Sequence, residues 1–109
     1  MVKQMPLDQV FHALAHDARR DMLDRLAAGD LTVGALAEPL AMTFAGASKH
    51  VKVLEQAGLI ERTVEGRTHR CRLRPAALEP AGAWLQRHER YWTDRLDALE
   101  DLIARSDDR

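Results

Sequence analysis

The apolar residues change period twice along this chain, and where they do so limits the folds open to it. From Leu7 to Leu54 they recur three and four residues apart, the spacing that lines one face of a helix. Between Leu59 and Leu73 they alternate with polar residues around Glu65-Gly66-Arg67, the pattern of two strands joined by a tight turn. From Leu85 to Ile103 the helical spacing returns as one long stripe. A chain of 109 residues has room for one domain, and this order predicts several short helices, one hairpin and a long closing helix.

The helix signals divide the first half. Pro6 suits a first helical position, and Leu7, Val10, Phe11 and Leu14 share a face. His16-Asp17 interrupts, with Asp17 the expected N-cap of a second helix carrying Ala18, Met22, Leu23 and Leu26. Gly29 is its expected C-terminal cap. Asp30-Leu31-Thr32 reads as a loop, with Thr32 capping a third helix that Pro39 limits to about two turns. A fourth helix runs from Thr43 to Ala57, with Ala47, Val51 and Leu54 inward and Gly58 as its stop. In the second strand Thr68, Arg70 and Arg72 fall on one face, and His69, Cys71 and Leu73 on the other. The basic face is expected outside, because a core this small cannot pair those groups.

Net charge is −1, yet the charge is unevenly placed. Lys49, Lys52, Arg62, Arg67, Arg70, Arg72 and Arg74 face only Glu55, Glu61 and Glu65 within residues 49–74, while both flanks are acidic. Local potential, not the total, governs encounter with phosphate. A basic island on a solvated face would look the same taken alone. Its position decides its meaning, because it spans the fourth helix and the hairpin.

Two short amphipathic helices joined by a tight turn form a helix-turn-helix, whose second helix enters the major groove. The groove face of such a helix must be small and polar near its N-terminus. Thr43, Ala45, Gly46, Ser48, Lys49 and Lys52 meet that requirement. Beside it, a hairpin with Gly66 and Arg67 at its tip and Arg70 on its outer face can reach phosphates or the minor groove. The predicted fold class is therefore mainly α with a small β-hairpin: a winged helix-turn-helix of four helices, a two-stranded wing and a long C-terminal helix.

Ala15-His16-Asp17-Ala18-Arg19-Arg20, Leu31-Thr32-Val33-Gly34-Ala35-Leu36-Ala37, the run from Ala47 to Ile60 and the Gly66-Arg67 wing together resemble the ArsR/SmtB winged-helix repressors. The likeness covers nearly the whole chain. It is most specific in the stretch SKHVKVLEQAGLI. It implies a homodimeric DNA-binding transcriptional regulator, usually a repressor, whose first and last helices form the dimer interface. By motif position Ser48, Lys49, His50 and Lys52 face DNA, with Gly66 and Arg67 at the wing tip. His50 has two readings, a phosphate contact or a packing cap against the wing. The interface would draw on Val10 and Leu14 of the first helix and on Leu85, Trp92, Leu96, Leu99 and Ile103 of the last. That last set is more apolar stripe than one small domain covers. The expected partners are a second copy of the chain and double-stranded DNA, with a palindromic operator following from two-fold symmetry.

The metal-sensing signatures associated with that resemblance are missing. The Cys-x-Cys position on the third helix reads Leu36-Ala37-Glu38-Pro39-Leu40. The last helix has His88, Glu89 and Asp94, but not the Asp-x-His set with a further ligand ten residues on. Asp8, His12 and His16 stand four apart and could share a helical face, although two surface or interface histidines are the plainer reading. Cys71 is the single cysteine and lies in an inward phase, so it reads as a small buried hydrophobe. Trp84 and Trp92 read as core and interface anchors. No cofactor or metal is expected, and no effector can be named. No glycine-rich phosphate loop, nucleophile motif or paired-carboxylate pocket points to an enzyme. The alternative is a winged helix that binds protein rather than DNA, a class that often lacks the basic groove face. No run is apolar and long enough to span a membrane, and the N-terminal MVKQMPLDQVF lacks a signal-peptide core, so a cytoplasmic location is expected.

Overall fold

The computed structural model describes residues 6–107. They run α1 (Pro6–Leu14), α2 (Asp17–Leu26), β1 (Leu31–Thr32), α3 (Val33–Ala37), a 3-10 turn (Glu38–Leu40), α4 (Phe44–Gln56), β2 (Ile60–Glu65), β3 (Thr68–Leu73), a second 3-10 turn (Pro75–Leu78) and α5 (Glu79–Asp107). The chain divides into two units, residues 1–79 and 80–109.

In the first unit, polar caps start the helices and arginines close them. Thr32 accepts from the Ala35 N–H at 3.1 Å, and Thr43 from the Gly46 N–H at 3.0 Å, as their places before α3 and α4 require. The N-cap of α2 is His16 rather than Asp17. The His16 ring accepts from the Ala18 N–H, while Asp17 sits one position inside and its carboxylate bonds the same N–H at 2.7 Å. The C-terminal carbonyls that a helix leaves unpaired are met by α2's arginines. Arg19 donates to Ala13 O at 2.7 Å and to His12 O at 3.0 Å, and Arg20 to Leu14 O at 2.7 Å. Arg25 does the same for α3, reaching Ala35 O at 3.1 Å and Leu36 O at 2.6 Å. Arg19 is only 8% exposed, a buried cation held by carbonyl oxygens.

The core is made by the faces that the periodicity marks. Met22, Val33, Leu36, Ala47, Val51, Leu54, Leu59 and Cys71 are fully buried. Each large aliphatic side chain among them contributes roughly 1.5–3 kcal/mol of apolar burial. Pro39 shortens α3 to five residues and turns the chain into 3-10 geometry. Ala41 then takes a left-handed conformation, φ 52°, to redirect it into α4. Gly58, at φ 77°, ends the turn after α4, where a side chain would be strained.

The sheet has three strands in the order β1-β3-β2, all antiparallel. The third strand is a departure from the two-stranded wing. Leu31 and Thr32, read as loop, pair with Cys71 and Arg70. Two residues are too few to show alternation, so no periodic signal marks them. β2 and β3 pair from Ile60↔Leu73 to Glu65↔Thr68, leaving Gly66-Arg67 as a two-residue turn with Gly66 at φ 62°.

The second unit is α5, a 29-residue helix about 43 Å long. Leu85, Trp92, Leu96, Leu99 and Ile103 are all exposed along it, as are Tyr91 and Leu102. Trp84 stacks on His88 with ring centroids 3.9 Å apart, and Arg95 lies over the Tyr91 ring. Among the described residues no helix is long and apolar enough to cross a membrane.

Candidate nucleic-acid interface

The inward phase of Ala47, Val51 and Leu54 sets what α4 shows to solvent. Ala45, Lys49 and Lys52 are exposed on the opposite side, with Thr43 at the tip. Gly46, Ser48 and His50 are half-buried, flanking the exposed ridge. Thr43 has its hydroxyl oxygen engaged as the N-cap and keeps its O–H to donate. Gly46 serves that cap, because a Cβ there would stand 3.3 Å from the Thr43 hydroxyl.

Ser48 and His50 leave the ridge in opposite directions. Ser48 Oγ accepts loosely, at 3.5 Å, from Arg62 on β2, whose guanidinium also bonds Glu55 at 3.2 Å. His50 turns toward α2. Its Nδ1 lies 3.3 Å from Arg19 Nη1, and its ring centroid is 4.5 Å from that of His16. Arginine has no acceptor, so His50 Nδ1 accepts and Nε2 carries the proton. Burial holds the His50 pKa below its ordinary value, the charges of His16 and Arg19 add to that, and Asp17 opposes it. Packing against the wing, one of the two roles read for His50, is therefore not where its ring lies.

The basic island separates into paired and unpaired cations. Arg62 pairs with Glu55, Arg74 with Glu61 at 2.9 Å, and Arg72 with Asp30 at 4.0 Å. Lys49, Lys52, Arg67 and Arg70 form no ion pair among the described residues. Thr68, Arg70 and Arg72 are exposed, with Cys71 buried and His69 and Leu73 half-buried on the other face, as the alternation implies. Burial raises the Cys71 thiol pKa, which leaves it protonated and unreactive.

The interface residues read for α1 fare differently from each other. Val10 is 3% exposed within the single chain and has no surface left to give a partner, a correction to its reading as an interface residue. Leu14 is half-buried. Asp8 and His12 lie on α1, but α1 ends at Leu14 and His16 caps the next helix, so the three do not share one helical face. Among the described residues no three His, Cys, Asp or Glu side chains are grouped to hold a metal ion.

The sequence reading missed one residue, Phe44, and the pairing of another, Arg62. Phe44, the first residue of α4, is exposed and meets the His69 ring edge-on with centroids 5.9 Å apart. Arg62 is taken out of the basic surface by Glu55. A glutamate one residue before the α4 terminus and an inward-phase arginine on β2 were the available signals.

Comparison with known proteins agrees with this geometry. A family described as a helix-turn-helix domain matches residues 14–63. The HTH-type transcriptional regulator Rv2034 of Mycobacterium tuberculosis is 35% identical over 96 residues, covering 88% of this chain and 87% of that protein. The transcriptional repressor SdpR of Bacillus subtilis is 30% identical over 79 residues, covering 72% and 88%. Among solved structures, the ArsR family transcriptional regulator RHA00566 superposes with a TM-score of 0.75 at 34% identity, over 82% of this chain and 98% of that one. A homodimeric winged helix-turn-helix DNA-binding domain, Mb0332 of Mycobacterium bovis, gives a TM-score of 0.62 at 29% identity, over 79% and 87%.

Proposed function

The chain belongs to the ArsR family of winged helix-turn-helix transcriptional regulators, and from that premise we propose that it is a cytoplasmic homodimeric repressor that reads a palindromic operator through α4 and the wing. The observation that carries this is the exposed ridge of α4. Ala45, Lys49 and Lys52 stand clear of the core, and the wing adds Arg67 and Arg70, cations that form no ion pair among the described residues.

Lys52, Arg67 and Arg70 serve phosphates, and Lys49 reaches the base edges or the phosphate beside them. Ala45 and Gly46 bring the helix backbone close to the bases. Ser48, tethered to Arg62, fixes α4 against β2 and offers its hydroxyl at the groove edge. Gly66 lets the tip turn tightly, so that Arg67 projects.

Pairing of protomers is assigned to the α5 stripe from Leu85 to Ile103, with Leu14 of α1 as a further contact. That much exposed apolar surface is costly in water and is what a helix keeps for a partner. The homodimeric relative supports this, and the repressor among the relatives supports repression, by occlusion of the promoter. The family is one of transcriptional regulators.

The test is selection from a randomised duplex pool, followed by fluorescence anisotropy on the enriched sequence. Enrichment of an inverted repeat, with half-sites about 34 Å apart, is the expected result. Failure to enrich any sequence at low salt overturns the proposal in favour of a protein-binding module.

A further inference from the structure

Phe44 and Val64 are the large hydrophobic residues left exposed in the first unit, at 53% and 55%. They are not scattered. Val64 pairs directly with His69 across the wing, and Phe44 meets the same His69 ring from the start of α4. One histidine thus joins both into an apolar strip. The strip lies in the cleft between the N-terminus of α4 and the inner face of the wing. Lys49 lies on α4 five residues after Phe44 and Arg67 at the wing tip, both exposed.

We propose that Phe44, held by His69 and extended by Val64, is a specificity-determining residue that reads thymine through its methyl group in the major groove. The inference rests on the DNA-binding reading above. Charge picks the occupant, because α4 and the wing, the two elements that form the strip, also carry Lys49, Lys52 and Arg67, which form no ion pair among the described residues. Position picks the feature, because the first residue of a reading helix meets base edges, and the apolar atom displayed there is the thymine C5-methyl. The edge-on contact keeps the ring from folding back over α4, so its exposed face is presented before DNA arrives.

The enriched duplex is synthesised with thymine, and then with uracil at each A·T pair of one half-site in turn. Uracil lacks the methyl and leaves every hydrogen-bonding group in place. Wild-type protein is expected to bind about fourfold more weakly at one or two of these positions, the effect of losing one buried methyl contact. Phe44→Ala is expected to bind thymine and uracil duplexes equally, and Phe44→Leu to retain part of the difference. Gln56→Ala, at an exposed position at the far end of α4 and with thermal unfolding followed for every variant, is expected to keep the full difference. Equal wild-type affinity for all duplexes overturns the inference, as does a difference that survives in Phe44→Ala or disappears in Gln56→Ala. If Phe44→Ala does not fold, Phe44→Leu decides, and an undiminished difference there overturns the proposal. A wild-type protein that enriches no duplex overturns the DNA-binding reading itself.

Discussion

Arg19 Nη1 stands 3.3 Å from His50 Nδ1, so the cation that closes α1 also holds the recognition helix α4. The same guanidinium binds two carbonyls of α1, and removing it leaves those acceptors buried without a donor. Arg19→Met, which keeps the length of the side chain, should lower stability by about 2–3 kcal/mol. Urea denaturation measures this. A loss below about 0.5 kcal/mol would show that the carbonyls find other donors.

The His50 contact makes stability depend on pH. Its pKa is lowered in the folded protein from the ordinary 6.5, because burial and the charges of His16 and Arg19 disfavour a second cation. Above pH 6.5 both folded and unfolded chains hold it neutral, and the contact with Arg19 is intact. As pH falls through 6.5 the unfolded chain takes up the proton first, so stability declines until pH passes below the folded value. His50→Gln keeps an acceptor for Arg19 and removes the titration. Urea midpoints between pH 5 and 8 should fall less steeply for this variant than for wild type, and identical profiles would remove His50 from the acid response.

Salt dependence counts the phosphate contacts. Lys49, Lys52, Arg67 and Arg70 on each of two protomers set a ceiling of about 7 on the log–log slope, at about 0.9 per neutralised phosphate. Lys52→Ala and Arg67→Ala should each lower affinity on operator and scrambled DNA alike, and lower the slope by about one per phosphate lost. Arg62→Ala should leave the slope unchanged, since Glu55 already neutralises that cation. A drop in slope for Arg62→Ala would place its guanidinium on DNA instead.

Dimerisation should be lost through α5 alone. Trp92 is 60% exposed in the single chain, and at a paired interface its truncation to alanine should weaken self-association by about 3 kcal/mol or more. Leu99→Glu would place a charge in the same stripe. Analytical ultracentrifugation should show both variants shifted toward monomer, and a wild-type protein that is monomeric and folded at micromolar concentration would refute the assignment.

Metal removal should change nothing. Among the described residues no three potential ligands converge, and Cys71 is buried with its thiol protonated. Chelation should leave the melting temperature and operator affinity as they were. A severalfold change in affinity on adding zinc, lost in His12→Ala, would count against this.

The elements legible in the sequence were those announced by local chemistry. Thr32 and Thr43 cap helices because a threonine oxygen accepts from an N–H three residues on. Cys71 is buried and Arg70 exposed because strand side chains alternate. What escaped depends on partners distant in the chain. Arg19 resembles any helical surface arginine until α1 brings Ala13 O to it. Leu31-Thr32 becomes a strand only because β3 passes alongside. Val10 has the phase of an interface residue and also of a core residue, and periodicity cannot separate them. The cations of the basic island were visible, but their pairing was not: Arg62 counts there like Lys49, and only the fold brings Glu55 to it.

Thr32 holds two posts, since it pairs with Arg70 in the wing and caps the helix that begins the helix-turn-helix. Lifting the wing away would break that strand pairing and uncap α3 in the same event. The wing is thus no tethered arm waiting to be ordered by its ligand. On the proposed reading, α4 and the wing meet DNA as a single preorganised template, and the entropy of arranging them is spent during folding and not again at each encounter.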